Sequence, residues 1–302
     1  MKILEYNELD STNNEAKRLV AAARQPGTCD EAKLHGTVII AKHQTAGRGR
    51  MGRSFVSFGS SSIYASFILP PPENPAEQLI TALAAVAVCE AIENTTSYSP
   101  GIKWINDILV DGKKVCGILA ESVPGAVILG IGVNIDIDTD TDNDPDTDSD
   151  SYSYSDFNTD MDLDTDADTD SDLNNDMDPD ESKFFNVKTS MSKDNIPEYL
   201  RGVAGLLYLD EESRSRFESA LIEAVFGCVL SDGGKAAALM DEYRSRSVLL
   251  GMPVVLSKGN EERTAIAKDI ADDGALIVEY QDGSLETLRT GETSVRLQHI
   301  ES

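Results

Sequence analysis

Two stretches of this 302-residue chain collect the side chains able to handle phosphates. Residues 45–53, TAGRGRMGR, put three glycines and three arginines into nine positions. Glycines let backbone N–H groups approach an anion closely, and arginines neutralise it with forked donors. The same letters suit nucleic acid, but Arg-Gly tracts that bind RNA sit in basic surroundings, and this loop lies between two expected buried strands in an acidic chain. A small phosphate ligand is therefore expected, with a plain surface turn as the alternative. Residues 101–121, GIKWINDILVDGKKVCGILAE, bring Lys103, Asn106 and Asp107 to one edge of an expected strand pair, with Lys113 and Lys114 returning on the next strand. Lysines neutralise phosphates and polarise a reacting oxygen, while Asn106 and Asp107 suit magnesium, directly or through water. The alternative is a hairpin with a charged turn. A third stretch, GIGVNI at 130–135, sets Asn134 among apolar neighbours. A carboxamide there either satisfies a backbone group or reads a ligand's hydrogen-bonding edge.

The elements that must position these residues are legible from periodicity. EYNELDSTNNEAKRLVAAAR predicts a short strand and then a helix from Ser11 or Thr12. Thr12 and Glu15 have capping-box spacing, and Ala16, Leu19, Val20 and Ala23 form the apolar face. GTVIIAKH predicts a buried strand running into the Gly/Arg loop, and SSSIYASFIL another, with Ile63, Ala65, Phe67 and Leu69 alternating inward. PPPENP precedes an apolar helix, AEQLITALAAVAVCEAIEN, expected at the centre of the core. IKWINDILV, KKVCGILAES and AVILGIGVNI predict strands, with Asp111-Gly112 as a hairpin turn. Two helices are expected near 211–230 and 233–246. From about Val248 short strands and Asp-Gly turns predict a small SH3-like barrel, with a boundary near 247.

Composition bounds the function. The net charge of −27 is uneven: residues 136–181 hold 19 Asp, one Glu and no Lys or Arg, and without those 20 charges the rest carries −7. The tract cannot bury enough apolar surface to offset its chain entropy, so 136–182 is expected to be a disordered insertion. Its Asp-x-Asp-x-Asp spacing resembles the opening of an EF-hand loop, but the required Gly and Glu positions are missing. Cys29, Cys89, Cys116 and Cys228 form no Cys-x-x-Cys pair, and His35, His43 and His299 have no metal-ligand spacing, which argues against zinc. No apolar run is long enough to span a bilayer, and MKILEYNELD lacks the character of a signal peptide, so a cytoplasmic setting is expected, with no membrane partner.

Taken together, DSTNNEA at 10–16, HQTAGRGRMGRSF at 43–55, SIYASFIL at 62–69, GIKWINDILVDGKKVCGILAE at 101–121 and GIGVNI at 130–135 resemble the biotin protein ligase family. The terminal GALIVEYQDGSLETLRTGETSVR is similar to that family's C-terminal barrel. The resemblance implies an α+β fold, with a mixed-sheet catalytic domain of the class II aminoacyl-tRNA-synthetase and biotin-ligase type over 1–247 and an SH3-like barrel over 248–302. It implies a ligase that forms a C–N bond in two steps. Biotin and Mg-ATP give biotinyl-5′-AMP and pyrophosphate, and a lysine of a biotin carboxyl carrier protein then displaces AMP. Carried over by motif, Ser11, Thr12, Asn13 and Gln44 contact biotin, Gly47, Arg48 and Arg50 wrap the acyl-phosphate, and Arg53 supports the loop. Lys114 meets the biotin carboxyl as the catalytic lysine, Lys103 assists at the phosphates, and Gly117 leaves room for the ligand. Asn106 and Asp107 orient magnesium or pyrophosphate, Asn134 reads adenine, and Trp104 lines the nucleotide site or serves the core.

This chain departs from the family pattern at Ile105, where proline is usual. It opens almost at the catalytic fold, without a helix-turn-helix, which implies the monofunctional type with no DNA partner. Edge strands of such a sheet allow a homodimer. Two other readings stand beside this one. The first is a lipoate or octanoate ligase of the same fold; the second is a non-catalytic nucleic-acid or partner-binding module, which the acidic charge disfavours.

Overall fold

The structure is a computed structural model that describes residues 1–25, 31–50, 55, 61–71, 77–137, 204–230, 233–259, 261–289 and 293–298. The expected insertion falls almost wholly outside these. Its first two residues do not: Asp136 and Ile137 lie in a strand, contrary to the disorder expected there.

Seven strands form the main sheet: β1 (Lys2–Leu9), β2 (Thr37–Gln44), β3 (Ile63–Leu69), β4 (Gly101–Lys103), β5 (Asp107–Val110), β6 (Lys113–Val123) and β7 (Ala126–Val133), in the order β1-β2-β3-β7-β6-β5-β4. Only β1 and β2 pair in parallel. The pleat sends alternate residues to opposite faces. On one face lie Val38, Ile40, Ala65, Phe67, Leu129 and Ile131, in the core cluster that also takes in α2 (Glu77–Thr95) and α3 (Glu211–Val229). Residues 80–89 of α2 are buried on every side, as their near-continuous apolar run requires. On the other face Ile39, Ile68 and Ile128 pack with Ala16 and Val20 of α1 (Thr12–Ala23). Tyr64, Ser66 and Ile68 are thus as buried as the residues between them, because β3 is central and covered on both faces.

Helix α1 begins where expected but not with the expected cap. Ser11 is the N-cap residue, in extended conformation and with no side-chain cap bond. The Thr12 hydroxyl turns into the protein, and the Glu15 carboxylate serves Tyr6 and Arg18. A buried polar network outcompetes the local capping box.

The stretch IKWINDILV splits into β4 and β5 around a turn at Trp104–Asn106, with a cis peptide between Trp104 and Ile105. The expected Asp111-Gly112 hairpin is present, with φ values of 52° and 75° that suit a type I′ turn. Two short strands beyond the sequence reading, β8 (Ile135–Ile137) and β9 (Leu207–Leu209), pair in parallel. After α4 (Gly233–Ser245), β10 (Pro253–Lys258), β11 (Glu261–Ile270), β12 (Leu276–Glu279), β13 (Leu285–Leu288) and β14 (Ser294–Leu297) form the SH3-like unit, an antiparallel sheet in the order β13-β12-β11-β10-β14. The connection from α4 to β10 bonds to the open edge of β4: Ile102 N–H donates to the Arg246 carbonyl at 2.8 Å, and Val248 N–H donates to the Ile102 carbonyl at 3.0 Å. Among the described residues, no helix is long and apolar enough to cross a membrane.

Candidate functional site

Strand register gathers the candidate residues. Tyr64, Gly132, Gly117, Asp107 and Lys103 are successive cross-strand partners, one row spanning β3, β7, β6, β5 and β4. The row lies on the face that carries α1, and Ser66 and Gly130 form the next aligned pair of that face.

At the α1 end, Thr12 and Asn13 are buried over Ser66 and Gly130. Gln44 Oε1 accepts from the Thr12 backbone N–H at 2.8 Å and stands 3.2 Å from the Thr12 hydroxyl. The Ser66 hydroxyl lies 2.7 Å from Thr12 Oγ1 and 2.6 Å from Asn13 Oδ1. Asn13 Nδ2 donates to Glu121 Oε2 at 2.8 Å, which fixes the carboxamide orientation and leaves Oδ1 as an acceptor. Ser66 therefore donates to Asn13. The Ser66 hydroxyl has only one proton, so its short contact with Thr12 is then met by the Thr12 hydroxyl donating to Ser66.

Glu121 is the hub of this end. Lys17 Nζ lies 2.6 Å from its Oε1 and Arg48 Nη2 3.4 Å from the same oxygen. Burial pushes the Glu121 carboxyl up, but the hydrogen bonds from Lys17 and Asn13 and the charges of Lys17 and Arg48 outweigh it and hold it below the usual range. Arg48 is exposed, so its contact with the Glu121 carboxylate is screened by water and weak.

At the other end, Lys114 Nζ lies 2.7 Å from Asp107 Oδ1, although that oxygen is buried and has no aligned donor among the described residues. The contact is electrostatic rather than a directed hydrogen bond. Arg50 Nη1 donates to Asn106 Oδ1 at 3.1 Å, and Asn106 Nδ2 donates to the Ile118 carbonyl at 3.0 Å. Lys103 pairs through its backbone with Asp107 of β5, and its side chain has no hydrogen-bond or ion-pair partner among the described residues. Asn134 is 4% exposed and its Oδ1 accepts no bond there. Such an orphaned buried acceptor is the kind a ligand completes.

Gly47 sits where the loop meets the sheet. Its carbonyl accepts from Phe55 N–H at 2.9 Å, and a Cβ on it would lie 2.6 Å from the Phe55 carbonyl oxygen. The Phe55 ring then covers Gly117 and Gly132, where a Cβ would stand 2.9 Å and 2.6 Å from ring carbons. The space that Gly117 opens is thus lined by an aromatic ring as well as by the Lys114 ammonium, 3.3 Å from the same Cβ position.

Trp104 is 5% exposed and belongs to the core cluster, with its indole N–H donating to the Gly274 carbonyl at 2.9 Å. Arg53 lies outside the described residues. Among those described, no three His, Cys, Asp or Glu residues gather as a metal cage. Asn106 and Asp107 offer two oxygen donors, which fits magnesium carried chiefly by a nucleotide's phosphates and water. Sequence reasoning assigned no role to Ser66, Phe55, Glu121 or Tyr243. Glu121, Phe55 and Ser66 all stand inside quoted motifs, whereas Tyr243 lies in none of them.

Comparison with known proteins gives two family matches. The Biotin/lipoate A/B protein ligase family matches residues 29–138, and the Biotin protein ligase C terminal domain matches residues 249–296. The Bacillus subtilis (strain 168) bifunctional ligase/repressor BirA is 49% identical over 88 residues, a match spanning 28% of this chain and 27% of the relative. The biotin--[acetyl-CoA-carboxylase] ligase of Mycobacterium tuberculosis is 26% identical over 254 residues, covering 82% of this chain and 75% of the relative. Among solved structures, the biotin protein ligase from Aquifex aeolicus in complex with biotin and ATP superposes with a TM-score of 0.65 at 22% identity, covering 98% of this chain and 99% of that one. The α+β sheet and the SH3-like unit thus have a common precedent in one fold.

Proposed function

The chain belongs to the biotin protein ligase family, and on that premise we propose that it is an ATP-dependent biotin–protein ligase. It activates biotin to biotinyl-5′-AMP and transfers the biotinyl group to a lysine of a biotin carboxyl carrier protein. The observation that carries this reading is the shared sheet face: a closed polar network of Thr12, Asn13, Gln44 and Ser66 beside a cationic set of Arg48, Arg50 and Lys114, joined across the Gly117–Gly132 pair. One end suits a neutral hydrogen-bonding ring and the other an acyl-phosphate. Ser11 and Gly47 shape the first end, and the backbone and carboxamide of Asn134 suit an adenine edge.

In the first step the biotin carboxylate attacks the α-phosphorus of ATP and pyrophosphate leaves. Negative charge builds on the phosphoryl oxygens, so fixed cations lower the barrier. Arg48, Arg50 and Lys114 are held near that position by Glu121, Asn106 and Asp107, partners that an incoming anion can replace. Lys103 adds charge at the pyrophosphate end, and Arg53 supports the loop. Asn106 and Asp107 would hold magnesium, which when bound neutralises phosphate charge. In the second step the carrier lysine amine attacks the mixed anhydride and AMP leaves with the bonding electrons. Phe55 over the glycine pair helps keep water from the anhydride. The buried thiols Cys89, Cys116 and Cys228, none of them in a disulfide among the described residues, suit a reducing cytoplasm. A homodimer through the exposed β1 edge completes the expected partners.

The test is biotin-dependent pyrophosphate release from ATP, with lipoate in place of biotin as the control. Wild type should release pyrophosphate with biotin and not with lipoate, and Lys114→Ala should lower kcat by roughly 100-fold or more, the cost of losing one fixed charge-stabilising group. No biotin-dependent release from the wild type rejects the reading; release with lipoate alone favours the other branch of the matched family.

A further inference from the structure

The turn that presents Asn106 and Asp107 is held from outside the catalytic sheet. Tyr243 of α4, wholly buried, donates its hydroxyl hydrogen bond to the Ile105 carbonyl at 3.2 Å. Trp104, the preceding residue, donates to the carbonyl of Gly274 in the β11–β12 turn of the SH3-like unit. Asn106 is clipped to β6 on the third side, its side chain and its carbonyl both bonded to Ile118. Four consecutive residues, 104–107, are thus tied in turn to the SH3-like unit, to α4, to β6 and to Lys114.

The brace is itself anchored. Arg244, on α4, donates to the Ile270 carbonyl at 2.6 Å and pairs with Asp241 and Asp272. Arg246 forms a two-pronged pair with Glu93 of α2, at 2.6 and 2.8 Å. Between these two arginines, α4 cannot shift without breaking bonds to α2 or to the SH3-like unit. Hydrogen bonds buried in such a setting hold their partners firmly in one orientation, because water offers no competing partner.

We propose that Tyr243 and Trp104 are positioning residues: α4 and the SH3-like unit hold the 104–107 turn in the shape that aims Asn106 and Asp107, and so set affinity for the triphosphate end of the nucleotide but not for biotin. This rests on the ligase reading for its ligand and on the two hydrogen bonds for its geometry. Neither residue touches the reacting atoms in this scheme; each acts through the turn.

The experiment uses the full chain and three forms: wild type, Tyr243→Phe and Trp104→Phe. Biotin and ATP are titrated separately in the pyrophosphate-release assay, and backbone amide exchange of residues 104–107 is followed without ligands. Tyr243→Phe keeps the ring and loses one hydrogen bond, so KM for ATP should rise roughly 3- to 10-fold, KM for biotin should stay within about twofold, and exchange at 104–107 should quicken. Trp104→Phe should show the same split. Equal rises in both KM values, or no change in either with unchanged exchange, overturn the proposal. If the wild type shows no biotin-dependent release, the ligase reading falls by itself. Exchange then decides the brace: faster exchange at 104–107 in Tyr243→Phe sustains it, and unchanged exchange overturns it.

Discussion

Gly130 lies directly beneath the carboxamide of Asn13, so close that a Cβ on the glycine would stand 2.2 Å from Oδ1. The absence of a side chain on β7 is what allows α1 to lower a polar residue onto the sheet and bond it to Ser66 and Glu121 at once. Gly130→Ala should therefore expel Asn13 and break both bonds. We expect a loss of about 1–3 kcal/mol of stability, the usual cost of overpacking, together with at least a tenfold weaker biotin affinity by calorimetry. Unchanged biotin affinity in a folded variant would remove Asn13 from the site.

Ser66→Ala makes a smaller change at the same place. It deletes the donor to a buried acceptor and the acceptor for Thr12, leaving Asn13 Oδ1 without its partner. KM for biotin should rise roughly 5- to 20-fold, consistent with an unsatisfied buried group, while KM for ATP stays within about twofold. Steady-state kinetics with each substrate varied in turn checks this, and a matched rise in both constants argues against it.

Glu121 carries a pH signature. Its carboxyl is held below the ordinary 4.5 in the folded protein, so folding favours the deprotonated form. Its contribution to stability is full above that ordinary value and drains away as pH falls through the folded one. The difference in thermal midpoint between wild type and Glu121→Gln should be constant from about pH 6 to 8 and shrink from about pH 5 toward 3. A gap that stays undiminished at the acid end contradicts this account of Glu121.

The thiols predict an inert set. Burial pushes Cys89 up to about 12 and Cys228 up to about 11, and raises Cys116 well above its usual value. All three remain protonated at neutral pH, and the thiolate is the reactive form. Iodoacetamide at pH 8 should leave them unmodified in the native protein and label them after unfolding, as mapped by mass spectrometry. Prompt native labelling of Cys116 would show that its strand opens far more readily than its burial allows.

Much of the sheet was legible because apolar alternation and Asp-Gly turns are local signals, as in β7 and the Asp111-Gly112 hairpin. Three-residue strands such as β8 and β9 give too little periodicity to be read. The capping box at Thr12 failed for a different reason: its hydroxyl partner, Ser66, is 54 residues away and only register brings it near. Lys114, Asp107 and Asn106 lie close in sequence, so their grouping could be anticipated, whereas Tyr243 meets Ile105 across 138 residues and carries no motif. Positions that act through long-range contacts leave no trace in spacing.

The parallel pairing of β8 with β9 sets a minimum length for what joins them. The chain leaves β8 at Ile137 and re-enters at Leu207 beside Ile135, at the opposite end of the pair. A two-residue turn can join only antiparallel strands; a return to a parallel partner needs a connection of about a dozen residues or more. The acidic segment can therefore be shortened a long way, but not to a tight turn, without reversing β9. Reversal would also remove the bond by which Gly205 N–H meets the backbone carbonyl of Lys114. The topology keeps a floor under the length of this segment whatever its composition.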